Sequence, residues 1–129
     1  MENVILIVVC LLGIHWFADF VCQTRWQAEN KSKNWDALLE HVTFYTALLG
    51  VGTMELAFIG FPFVWLGFVF FNGFAHFITD AITSRITAYF YSKGDIHSFF
   101  VVIGLDQLIH QTTLILTLYL FVLRGMGYE

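Results

Sequence analysis

Four long apolar runs, separated by short polar or turn-forming stretches, decide what this chain can fold into. They cover roughly residues 4–22, 37–59, 64–89 and 99–123. Each is about 19 to 26 residues long, enough to cross a hydrocarbon core of about 30 Å as a helix rising 1.5 Å per residue. Between them lie QTRWQAENKSKNWD (23–36), the turn GFPF (60–63), which holds the single proline, Pro62, and YSKGDIHS (91–98). Helices are the only spanning form open to four segments. Four strands cannot close a barrel, and an open sheet in lipid leaves backbone groups unpaired. A soluble domain is excluded by composition: 58% of the 129 residues are hydrophobic and only 12% charged, more apolar surface than a fold of this size can hide. The expectation is one all-α integral-membrane domain over residues 1–129, a four-helix transmembrane bundle. The first run has no lysine or arginine before it and is near full span length, so it reads as a retained helix rather than a cleaved signal.

Orientation follows from the basic residues. Arg25, Lys31 and Lys33 lie in the first connection, Arg85 and Lys93 at or near the third, and only Arg124 on the other side. That bias places both polar loops in the cytoplasm and both termini outside. Trp26, Trp35 and Trp65 near span ends fit an interfacial belt. A formal net charge of −4 gives no reason to expect a nucleic-acid partner. Cys10 and Cys22 form no CxxC pair, and neither a disulfide nor a metal role is expected of them.

Ionisable residues recur inside these runs at helical spacing. His15 and Asp19 stand four apart, as do His76 and Asp80, and Asp106 and His110 in reverse order; His41 adds the remaining run. Residues four apart share a helix face. At 1.5 Å per residue, Asp19 and His15 lie about 5 to 10 Å from the inner end of their span and His41 about 6 Å. His76 and Asp80 lie about 13 to 20 Å in, and Asp106 and His110 about 10 to 17 Å. Those depths allow one shared site in the cytoplasmic half. The segment around His15 and Asp19 also aligns with the one around His76 and Asp80, and HVTFYTALL (41–49) with HQTTLILTL (110–118). Two similar helical hairpins, related by an axis along the membrane normal, would account for this.

Three aspartates in hydrocarbon cost about 7 to 10 kcal/mol on insertion scales if left alone. A cation neutralises the carboxylates and accepts the imidazole lone pairs. Four imidazoles and three carboxylates exceed one tetrahedral ion and suit two ions about 3.5 to 4 Å apart with a bridging carboxylate. A proton or ion path and a structural polar network use the same residues and stay open. Gln23 and Gln107 are candidates to hydrogen-bond the ligands. Arg85 is a candidate to grip a phosphate or to anchor topology, and Tyr45, one turn from His41, is a candidate proton donor.

HWFADFVCQTRWQA, LLEHVTFY, AHFITDAITSR and DQLIHQTTL together resemble an uncharacterised family of small integral-membrane proteins of bacteria and their phages. More distantly, the repeated HxxxD pattern is similar to membrane-bound metal-dependent hydrolases. The resemblance implies His15, Asp19, His41, His76, Asp80, Asp106 and His110 as the set that carries function, and it adds weight to hydrolysis.

The leading expectation is a dinuclear metal-dependent hydrolase acting on a lipid or lipid-linked phosphate or ester. Asp19, Asp80 and Asp106 are the candidate catalytic carboxylates. Zinc is expected first, from the histidine content, with manganese or iron open because of the carboxylates. A proton or divalent-cation transporter, an oxygen-activating diiron enzyme and a structural or phage-exclusion factor are the alternatives. Membrane lipid is the expected partner, and homo-oligomers or a soluble partner are compatible with so short a chain.

Overall fold

The computed structural model describes residues 2–58 and 62–124. Every regular element among them is helical: α1 (Glu2–Trp16), which continues into a π-helical turn (Phe17–Val21), α2 (Arg25–Asn30), α3 (Trp35–Gly52), α4 (Glu55–Phe58), α5 (Pro62–Ser92) and α6 (Ile96–Thr117), which ends in a second π-helical stretch (Leu118–Leu123). Three segments are long and apolar enough to cross a membrane: Val4–Val21, Pro62–Ser92 and Ile96–Leu123.

The second expected span is the one that differs. Helix α3 covers 18 residues and stops at Gly52, where the Thr53 amide and hydroxyl both bond to the Leu49 carbonyl at 3.0 and 2.7 Å. A glycine followed by a threonine that bonds back on the last turn ends a helix that mean hydropathy would carry onward. The last expected residue of that span, Ile59, and Gly60 and Phe61 of the GFPF turn lie outside the described residues. Pro62 opens α5, where its missing amide is no loss.

The stretch 23–36 is no plain loop. Thr24 and Gln27 form a reciprocal capping box that starts α2, and Gln27 is buried, so the chain folds back against the bundle. Asn34 then caps α3 through the Asp36 amide at 2.8 Å. The 91–98 connection shrinks to Lys93–Asp95. Gly94 takes the left-handed conformation there, φ 72°, which glycine adopts without a Cβ penalty. Asp95 caps α6 through the Ser98 amide at 3.0 Å.

Helix α5 is the central element, packed against α6 on one side and α3 on another. Its approach to α3 is close: a Cβ on Gly73 would overlap the Thr46 side chain. Toward α6, Asn72 donates to the Thr117 hydroxyl at 2.9 Å, a buried polar clasp of the kind that joins helices in lipid. The interior is layered. Leu11, Leu49, Phe68, Leu114, Leu118 and Val122 form an apolar core. The buried His15, Asp19, His41, His76, Asp80 and His110 occupy the layer between that core and the 23–36 stretch. The outside carries exposed Leu6, Phe44, Phe70, Phe74, Phe100 and Leu108, a surface suited to lipid contact.

Candidate metal centre

Asp19 reaches the interior from the π-helical turn. In that turn Ala18 and Asp19 are buried while Phe17, Phe20 and Val21 face outward. An added residue per turn re-aims side chains, and such turns recur at functional sites. His41 comes from the second turn of α3, His76 and Asp80 from mid-α5, and Asp106, Gln107 and His110 from α6.

Two donor groups result. In the first, His41 Nε2 lies 3.1 Å from Asp19 Oδ1 and 3.4 Å from Asp80 Oδ2. His76 Nε2 lies 3.4 Å from Asp19 Oδ1, 3.7 Å from Asp80 Oδ2 and 3.2 Å from His41 Nε2. All four donor atoms are within 4.8 Å of one another. Bonds of about 2.0 to 2.1 Å to a tetrahedral ion require ligand–ligand edges of about 3.3 to 3.4 Å, and the five edges above cluster around that length. Protons alone serve this packing poorly. A single proton can lie between the two facing Nε2 atoms, and both nitrogens crowd the same two carboxylate oxygens. The residues therefore fit a cation.

In the second group His110 Nε2 lies 3.2 Å from Asp80 Oδ1 and 3.4 Å from Asp106 Oδ1. Asp80 thus turns one oxygen to each group, the disposition of a bridging carboxylate. The pairing echoes the internal repeat: His41 to Asp19 at 3.1 Å is matched by His110 to Asp80 at 3.2 Å. The in-helix pairs match too, at 4.0 Å for His15–Asp19 and 3.7 Å for His76–Asp80.

Six of the seven sequence candidates fall into these groups. His15 stands beside them: its Nδ1 lies 3.3 Å from the Tyr45 hydroxyl and its Nε2 3.3 Å from Gln107 Oε1. Tyr45 also stacks on His76, with ring centroids 3.9 Å apart. Gln107 joins the two groups, since its Nε2 donates to Asp19 Oδ2 at 2.8 Å and to Asp106 Oδ2 at 3.1 Å. Gln23 lines a cleft beside the cluster. Arg85 is placed apart from both groups. Its guanidinium lies over the Trp35 ring at 4.3 Å and donates to the Ala81 carbonyl, five residues beyond Asp80 and so off the interior face of α5.

Two residues escape the sequence reading. Lys31 donates to Asp80 Oδ2 at 2.7 Å, and the Thr83 hydroxyl lies 2.5 Å from Asp106 Oδ1. Thr83 stands three residues after Asp80, a spacing that could have flagged it. Lys31 carries no local signal, because α2 brings it back over the cluster. The cleft, of about 750 Å³, runs from Lys31 and Lys33 past Phe20, Phe99 and Ile103 to Asp19, Asp80 and Asp106.

Residues 7–127 match the family described as "Protein of unknown function (DUF3307)". The chain belongs to this family. No curated protein and no solved structure matches it. The match spans every residue of the cluster, so whatever DUF3307 proteins do, the cluster lies inside the family's own extent.

Gln107→Leu provides a test of how the carboxylates are held. The variant keeps all the donor groups but strips Asp19 and Asp106 of a shared hydrogen bond. Loss of such outer partners lowers metal affinity about 10- to 100-fold, and competition against a chelator of known affinity measures it. Unchanged affinity would remove Gln107 from the site.

Proposed function

We propose that this chain is a membrane-embedded hydrolase using two divalent ions, acting on a lipid or lipid-linked phosphate or ester. The observation that carries the reading is Asp80. Buried between two donor groups, it presents one oxygen to each, and the second group borders an open cleft. Asp19, His41, His76 and Asp80 would hold one ion in a closed position. Asp80, Asp106 and His110 would hold the other with positions to spare. Bound ions supply Lewis acidity, acidifying a water and polarising a phosphoryl or acyl oxygen. Zinc suits the imidazoles best; manganese and iron suit the carboxylates.

The chain's own groups have distinct tasks. Asp106 is the most exposed of the three carboxylates, 14% against 4% for Asp19 and 1% for Asp80. It lines the cleft and is steadied by Thr83 and Gln107, which suits it to accept a proton from an attacking water. Asp19 and Asp80 hold position and charge. Tyr45 stacks on His76 and keeps its ring in place. Phe20, Phe99 and Ile103 would exclude bulk water and receive acyl chains.

In the membrane, α1, α5 and α6 would span fully, and α3 with α4 would complete a four-helix bundle. The polar connections would face the cytoplasm of a bacterial cell and the termini the outside. An ion path is the less favoured reading, because the side of the cluster away from the cleft is closed by Leu49, Phe68 and Leu114.

The test is turnover by the purified full chain on phosphorylated and esterified lipids in mixed micelles, beside ion flux in proteoliposomes. Turnover without flux is expected, and Asp106→Asn should lower it at least about 100-fold, in the range of a lost general base. Flux that disappears with Asp80→Asn, together with no turnover on any lipid, would replace the hydrolase by a transporter.

A further inference from the structure

The cleft beside the cluster has a chemistry that narrows the substrate, given the hydrolase reading above. Three side-chain polar atoms are buried without a hydrogen-bond partner among the described residues: His76 Nδ1, Gln23 Nε2 and the Ser84 hydroxyl. The last two belong to residues that line the cleft. An amide nitrogen can only donate, and an unpaired buried donor is costly unless something fills the role. Lys31 and Lys33 line the same cleft, and Glu29, its one acidic lining residue besides the three cluster aspartates, is engaged by Arg25 at 2.6 Å. The far wall is apolar, from Phe20, Phe99 and Ile103.

Charge points the same way. Asp19, Asp80 and Asp106 with Lys31 leave the cluster two negative charges when the histidines are neutral. One divalent ion cancels them, and a second turns the site to two positive charges. Lys31 and the first ion would also compete for one atom, Asp80 Oδ2. Like charges repel at that range, so an occupied site drives the Lys31 ammonium toward the cleft.

We infer that Lys31, assisted by Lys33, Gln23 and Ser84, binds the phosphate group of an amphiphilic substrate whose acyl chains lie on Phe20, Phe99 and Ile103. The substrate class is then a phosphate ester, in preference to a neutral lipid ester. Lys31 acts here as a specificity residue that reaches the headgroup only once its place at Asp80 is taken.

The experiment measures binding to the full chain in detergent by titration calorimetry, with metal content determined on the same samples. Three probes are compared: dioctanoyl phosphatidic acid, dioctanoylglycerol and inorganic phosphate. Phosphatidic acid should bind at least about tenfold tighter than either other probe, and Lys31→Ala should abolish most of that preference, as expected for one charge-assisted contact. Lys31→Arg should keep it, which separates a lost contact from a lost fold. Equal binding of phosphatidic acid and dioctanoylglycerol, or an unchanged preference in Lys31→Ala, overturns the inference. Inorganic phosphate binding as tightly as phosphatidic acid overturns its amphiphile half. A protein that lacks metal yet keeps a Lys31-dependent preference supports the phosphate contact but overturns both the release of Lys31 by an ion and the hydrolase reading.

Discussion

Asp80→Asn should leave the purified protein without divalent ions by elemental analysis, where the proposed dinuclear site predicts two per chain for the wild type. Asp80 is the single residue common to both donor groups, with Oδ2 3.4 Å from His41 Nε2 and Oδ1 3.2 Å from His110 Nε2. Asparagine keeps the shape but removes the charge, and it offers an ion one carbonyl oxygen where the aspartate offered two anionic ones. Outer-shell losses alone cost about 10- to 100-fold in affinity, so loss of a bridging ligand should exceed about 100-fold at each position. His41→Ala should separate the positions, emptying the first and sparing the second. Asp36→Asn provides the control, since Asp36 is an exposed carboxylate outside the cluster. An Asp80→Asn protein that retains two ions per chain would end the bridging role of Asp80, and a wild type with fewer than two would end the dinuclear proposal.

Chelation of the wild type should lower its thermal midpoint in detergent by on the order of 10 °C, with recovery on adding back the ion. Ions bound only by the folded state stabilise it by about 4 kcal/mol at a thousandfold excess over the dissociation constant. At a few degrees per kcal/mol for a chain of this size, that gives a shift of about this magnitude. The direction follows from the packing: without ions the two Nε2 atoms of His41 and His76 face each other at 3.2 Å beside two buried carboxylates. Lys31 remains as a counter-charge at Asp80 and should keep the metal-free protein folded. Asp80→Asn should show no chelator response, because it has no ions to lose. A wild type whose midpoint ignores both chelator and added ion would show that the polar layer is held by hydrogen bonds alone.

Much of the polar layer is legible in the sequence, for a specific reason. Aspartate in hydrocarbon is so unfavourable that Asp19, Asp80 and Asp106 draw attention at once, and helical spacing puts each beside a histidine. Spacing along α5 says nothing about which neighbour the Arg85 guanidinium meets, and it meets Trp35. Helical spacing gave His15 the same standing as His76, yet Tyr45 and Gln107 hold His15 outside both donor groups. Lys31 appeared only as a charge that orients the chain.

What the amino-acid order determined by itself is the helical class, the segments apolar enough for a membrane, and the identity of nearly every group in the polar layer. These depend on local chemistry: the transfer cost of side chains and the need of backbone groups in lipid to pair within their own segment. What only the tertiary structure decided is how those groups divide into two sets, that Asp80 belongs to both, that α3 stops at Gly52, and that α2 carries Lys31 back to the cluster. Each of these depends on where one helix is held against another. Contacts such as the seating of Gly73 on Thr46 and the Asn72–Thr117 clasp set that, and they join residues far apart along the chain.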